Sequence, residues 1–126
     1  MKVEIIKILD NKTEVEVLCR TQYGNISIFW IGSNPIEGEI YDVEFESDEI
    51  LIWNRDIFLS KEQLTICDDN QKIKVVGDIE SIDEDGYMVI NMGESIMVFM
   101  TQEIPIHCGT RVKILIEKLD AYPIEY

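Results

Sequence analysis

Basic residues are missing from more than half of this chain. No Lys or Arg occurs between Thr21 and Asn54, or between Val75 and Thr110. Each of these stretches carries seven acids, together equal to the whole formal charge of −14, and the remaining residues hold eleven acids against eleven bases. The chain is therefore a neutral frame bearing two anionic segments. Such segments repel nucleic acid and membrane phosphates and speed encounters with basic proteins.

Alanine is almost absent, occurring only at Ala121, while Ile and Val dominate the apolar residues. That composition favours strands over helices. No segment approaches the roughly 20 consecutive apolar residues that cross a bilayer. The opening Met1-Lys2-Val3-Glu4-Ile5-Ile6-Lys7 places charges inside its apolar run, unlike a secretory leader. A soluble, cytoplasmic protein with no membrane partner is the expectation. Without a leader, the acceptor-like triplets Asn11-Lys12-Thr13 and Asn25-Ile26-Ser27 carry no weight.

Catalytic constellations are missing too. Cys19, Cys67 and Cys108 are odd in number and widely spaced, with no paired metal or redox motif. They read as small buried hydrophobes in a reducing compartment. His107, the single histidine, precedes Cys108, but adjacent residues of an extended chain point to opposite sides, and no third member marks a nucleophilic triad. One His with three scattered Cys builds no zinc site. A calcium-loop reading of Ser81, Asp83, Asp85 and Gly86 fails because Met92 occupies the position that must supply the bidentate carboxylate. Carboxylate pairs among 25 acids select no particular residues for hydrolysis. The expectation is a protein that is not an enzyme, with no catalytic or metal-binding residue and no cofactor.

What is present is a hydrophobic content of 46 % over 126 residues, enough for one core or two small ones packed together. An offset of 70 aligns Val3, Ile5 and Ile6 with Ile73, Val75 and Val76, and Ile26, Ile28 and Phe29 with Ile96, Val98 and Phe99. Pro35-Ile36 then matches Pro105-Ile106 and, one residue of slippage later, Gly38 matches Gly109. Residues 1–60 and 61–126 carry −7 each. Strand signals cover Val3 to Leu9, Glu14 to Cys19, Asn25 to Ile31, Glu39 to Glu46 and Ile50 to Trp53. They recur over Ile73 to Ile82, Tyr87 to Met92, Ser95 to Met100, Arg111 to Leu119 and Tyr122 to Tyr126.

The fold expected is all-β, with two degenerate tandem halves, each a small five-stranded meander or barrel of SH3-like or OB-like type, packed together with little helix. Residues 1–60 form one half and 72–126 the other, and the two could make one compact domain. Residues 61–71 read as a linker, in which Ser60-Lys61-Glu62-Gln63 resembles a capping box for one helical turn. A single ten-stranded sandwich is the competing architecture.

Alternation in Gly38 to Glu49 puts Tyr41, Val43 and Phe45 on one face and Asp42, Glu44, Glu46 and Asp48 on the other. Asp83, Glu84 and Asp85 crowd a hairpin tip ahead of Gly86. Either group could be solvated surface, which also blocks edge pairing. Phe29-Trp30 places a large ring on each side of its strand, so Trp30 is a candidate anchor beside the acids. The reading is a non-catalytic acidic binding protein of immunity or inhibitor type, which neutralises a basic protein such as a toxin or nuclease by capping its cationic site. Its contact residues would be Asp42, Glu44, Glu46, Asp48, Asp83, Glu84, Asp85 and Trp30. Direct nucleic-acid binding is not expected. The alternatives are a DNA mimic, a structural interaction module, or a nucleic-acid-associated small barrel, which would need Lys72, Lys74, Arg111 and Lys113 to converge on one face.

Overall fold

The computed structural model describes residues 1–102, 104–105 and 107–124, and among them every regular element is a β-strand. The strands are β1 (Lys2–Asn11), β2 (Val15–Thr21), β3 (Gly24–Trp30), β4 (Ile40–Glu46), β5 (Ile50–Ile52) and β6 (Ile57–Leu59), then β7 (Thr65–Asp69), β8 (Lys72–Ile82), β9 (Tyr87–Asn91), β10 (Ile96–Gln102), β11 (Arg111–Ile116) and β12 (Asp120–Pro123). β1 to β5 and β8 to β12 fall on the ten strands expected from alternation.

The segment expected to be a linker with a helical turn folds differently. Thr65–Asp69 is β7, which buries Ile66 and pairs antiparallel with β8. Asn70 and Gln71 join them with φ of 50° and 67°, the geometry of a two-residue hairpin turn with both residues left-handed. The Ser60 hydroxyl accepts the Glu62 N–H at 3.1 Å, a local turn. β6 was also absent from the expected strands. Glu125 and Tyr126, at the end of the expected last strand, and Ile106 lie outside the described residues.

The strands form a closed barrel in the order β1-β2-β3-β12-β4 and a second sheet in the order β5-β10-β9-β8-β11-β6, with β7 paired to β8. In the barrel β4 returns antiparallel to β1, and β12 lies between β4 and β3, parallel to β3. A pure meander would hold no parallel pair, so this is a Greek-key barrel of OB-like type. The second sheet follows the same plan: β8, β9 and β10 form a meander, β11 returns antiparallel to β8, and β5 lies parallel to β10. The fifth strand of each plan is thus supplied by the other half of the chain, β12 for the first barrel and β5 for the second sheet.

Both opening strands are long and bend. β1 shifts register between Ile5 and Lys7 and between Ile8 and Asp10, and β8 shifts between Ile79 and Ser81, bulges that let one strand serve several partners around a curved sheet. Gly77 sits where β8 passes from β7 to β9. A Cβ there would overlap the Ile90 side chain and stand 2.8 Å from Met92 Sδ. The interiors join into one apolar cluster running from Val3, Ile28 and Phe45 to Val75, Phe99 and Ile114.

Polar ties cross between the two sheets. Ile66 N–H donates to the Tyr23 carbonyl at 3.3 Å, and the Asp68 carboxylate accepts both N–H and hydroxyl of Ser27 at 3.1 Å. Glu49 accepts the N–H groups of Glu117 and Lys118 at 3.0 and 3.1 Å. This carboxylate fastens the β4–β5 crossing to the connection leading into β12.

Candidate functional site

An acid-rimmed wedge between the two sheets

β4 leaves the first barrel, crosses through Ser47–Glu49 and becomes β5, which pairs with only the last three residues of β10, Met100–Gln102. Upstream of that pairing the two chain segments diverge. The opening is a cavity of about 550 Å³ lined by Met1, Val43–Glu46, Gly93–Ile96, Val98 and Ile124. It continues past Glu46 and Val98 into a second of about 560 Å³, with Asp48, Ile50, Tyr87 and Met100 in its walls.

The floor is apolar. Ile96 is 57 % exposed and Ile50 50 %, and Val98, Tyr87 and Ile124 are exposed as well. Exposed apolar side chains gathered in a concave site with polar groups around them have the composition of a binding surface. The rim is anionic: Glu44, Glu46, Asp48 and Glu94 are all exposed. Among the described residues Glu44, Glu46 and Glu94 have no cation within ion-pairing distance and accept no hydrogen bond. Asp42, one step up β4, is engaged by the Met1 amino group at 3.3 Å.

The wedge also exposes backbone. Thr101 N–H donates to Gly86 O and Met92 N–H to Ser95 O, so the odd-numbered peptide groups of β10 face β9. By alternation those of Ile96, Val98 and Met100 face the other way. Met100 meets β5 there, whereas Ile96 and Val98 pair with no strand on that side, although β4 approaches β10. On the opposite wall Val43 N–H donates to Met1 O at 2.8 Å, and Phe45, next in the same alternation, points its peptide groups past the end of β1.

The other expected residues

Asp83, Glu84 and Asp85 form the β8–β9 turn, which ends at Tyr87 and so adjoins one end of the wedge. Asp83 is consumed by the turn itself, accepting the N–H groups of Asp85 and Tyr87 at 2.9 Å each. Glu84 and Asp85 are exposed. Gly86 has φ of +92°, and a Cβ there would overlap the Thr101 carbonyl, so the tip is held close against β10.

Trp30 cannot serve as an anchor. It is only 3 % exposed, its indole N–H donates to the Ser33 carbonyl at 2.7 Å, and its ring packs edge-on against Tyr41 with centroids 4.9 Å apart. Trp30 plugs the barrel, and Phe29 takes the outer side, where Lys118 Nζ lies 4.7 Å from its ring centroid. The aromatic residue beside the acids is Tyr87 instead.

Lys72, Lys74, Arg111 and Lys113 do share the outer face of the β8–β11 pair. Three of them already face carboxylates of the same chain, two of the three sharing one. Arg111 grips Asp78 through two bonds of 2.8 and 3.0 Å, and Lys74 and Lys113 reach Glu62 at 2.8 and 3.8 Å. The Arg111 fork holds the Asp78 carboxyl below its ordinary range, and the Lys74 hydrogen bond does the same for Glu62.

Asp120 is the opposite case, its carboxyl raised by desolvation and by neighbouring Asp48 and Glu14 against the pull of Lys118. Its Oδ1 is buried without a hydrogen-bond partner among the described residues. His107 and Cys108 are both exposed. Among the described residues no three His, Cys, Asp or Glu side chains are grouped to hold a metal ion, and no helix is long and apolar enough to cross a membrane. The chain matches no protein-family model, no curated protein and no solved structure.

Proposed function

We propose that this chain is a non-catalytic acidic binding protein of the immunity or inhibitor type, which caps the cationic site of a basic protein partner such as a toxin or nuclease. The observation that carries this reading is the wedge, where exposed Ile96, Val98 and Tyr87 lie beneath carboxylates that have no cation of their own. Apolar contact supplies affinity in such an interface, while complementary charge supplies orientation and rate. Of the seven bases other than Lys72, Lys74, Arg111 and Lys113, Arg20, Arg55 and Lys118 pair with the chain's own acids Glu4, Asp56 and Glu14, and with 25 acids against eleven bases overall the excess negative field is left for a partner.

The test is capture from the source cell with wild type and with a Glu44→Lys, Glu46→Lys, Glu94→Lys variant, each first checked for native circular dichroism. A basic protein retained by wild type at low salt and released by the triple variant is the expected result. Equal retention by both would make the rim solvated surface and remove the reading's main support. The shared face of Lys72, Lys74, Arg111 and Lys113 favours a second reading, a nucleic-acid-associated barrel. On that reading, a single-stranded oligonucleotide would bind with an affinity that climbs steeply as salt falls.

A further inference from the structure

Resting on that reading, we propose that the wedge receives its partner as an added β-strand: an extended segment alternating basic and apolar residues, hydrogen-bonded to the open edge of β10 at Ile96 and Val98.

Three observations converge on this mode. First, β10 is paired over Ile96–Met100 on the β9 side but only over Met100–Gln102 on the β5 side. Ile96 and Val98 thus present N–H and C=O groups in the spacing a strand requires, and strand addition draws its affinity from such groups. Second, the opposite wall is also strand, and Phe45 offers a further peptide group across the gap. Third, the side chains flanking this edge repeat with the same period. Ile96 and Val98 from one wall and Glu44 and Glu46 from the other are exposed and line the same cavity, with Glu44 and Glu46 about 7 Å apart, while Val43, Phe45, Met97 and Phe99 between them turn to the core. Alternate residues of an incoming strand thus meet the carboxylates, and the residues in between turn toward the apolar interior. An acidic or wholly apolar segment would leave those carboxylates unpaired, so the sign of the occupant follows from charge. Native proteins usually blunt an open edge with lysine or proline. This edge has neither, and its nearest charges are acids that repel acidic chains and admit basic ones.

The experiment uses the full chain and three probes: an octapeptide alternating Lys and Val, the same peptide N-methylated at every second residue, and an octapeptide alternating Glu and Val. Affinity is read by fluorescence anisotropy and amide exchange by NMR. The expected result is binding of the Lys–Val peptide, slowing of exchange at the Ile96 and Val98 amides by at least tenfold, loss of at least tenfold in affinity on N-methylation, and no binding of the Glu–Val peptide. Val98→Pro removes one docking N–H at an edge position where proline is tolerated, and should fold natively yet bind the Lys–Val peptide at least tenfold more weakly. Should that variant fail to fold, the N-methylated probe decides alone. If the N-methylated peptide binds as tightly as its parent, or the two amides remain unprotected, strand addition is wrong while charge-directed docking stands. If no cationic peptide binds, strand addition also falls, and capture by the wild-type chain alone decides the function proposed above.

Discussion

Cys19 shows how much a single buried side chain can set. It is sealed inside the first barrel, and burial, reinforced by Asp68, pushes its thiol from 9.0 up to about 12. The thiol form is the one the fold holds, so its contribution is intact below pH 9 and is lost as pH rises towards 12, where the unfolded chain ionises first. Stability should therefore fall across that window with a slope approaching about 1.4 kcal/mol per pH unit, and Cys19→Val should flatten that part of the curve in urea titrations. Thiol labelling of the native protein should find Cys108 fast and Cys19 inert. Gly77 is the other telling residue. Because Ile90 and Met92 already fill the space its Cβ would need, Gly77→Ala should cost roughly 1–3 kcal/mol by overpacking, measurable as a lower urea midpoint with an unchanged slope. Trp30 marks where residue-level reading stops, since two rings on opposite faces of a strand look alike until a barrel closes over one of them.

Strands announced themselves where one face was buried. Alternation in β2, β3, β4 and β11 matches their burial closely, and the acidic side of β4 was visible for the same reason. β6 and β7 were hidden because Ile57–Leu59 is three residues long and Thr65–Asp69 ends in two acids that read as a linker. The apolar floor of the wedge was hidden differently. Ile96–Met100 is hydrophobic on both faces, which normally means cover on both. Such a strand with one side uncovered was the available clue to a binding surface. Strand exchange left no clue, since β12 is paired to β3 and β4 by contacts about 75 to 90 residues distant, which carry no local pattern. Its consequence can be tested. A chain ending at Leu119 leaves β3 and β4 without the strand between them, and should melt at least about 10 °C lower, equivalent to roughly 2–3 kcal/mol, with new binding of a hydrophobic dye. An unchanged melting temperature would mean that β12 is a decoration on the barrel.

The molecule as a whole is two sheets that complete each other. Each borrows its fifth strand from across the chain, and one apolar cluster spans both. Heat should consequently unfold the protein in a single calorimetric transition, with van't Hoff and calorimetric enthalpies equal. Two resolved transitions would show the halves to be independent.

The reliance of the first barrel on β12 also sets a timetable for synthesis. When β4 leaves the ribosome, the first barrel has four of its five walls and a gap between β3 and β4. That gap closes only when Asp120–Pro123 emerges, after about 75 further residues, or roughly 4–15 s at ordinary elongation rates. For that interval the newborn chain holds open a slot shaped for its own final strand, and any other extended segment nearby, including one from a neighbouring copy on the same message, competes to fill it.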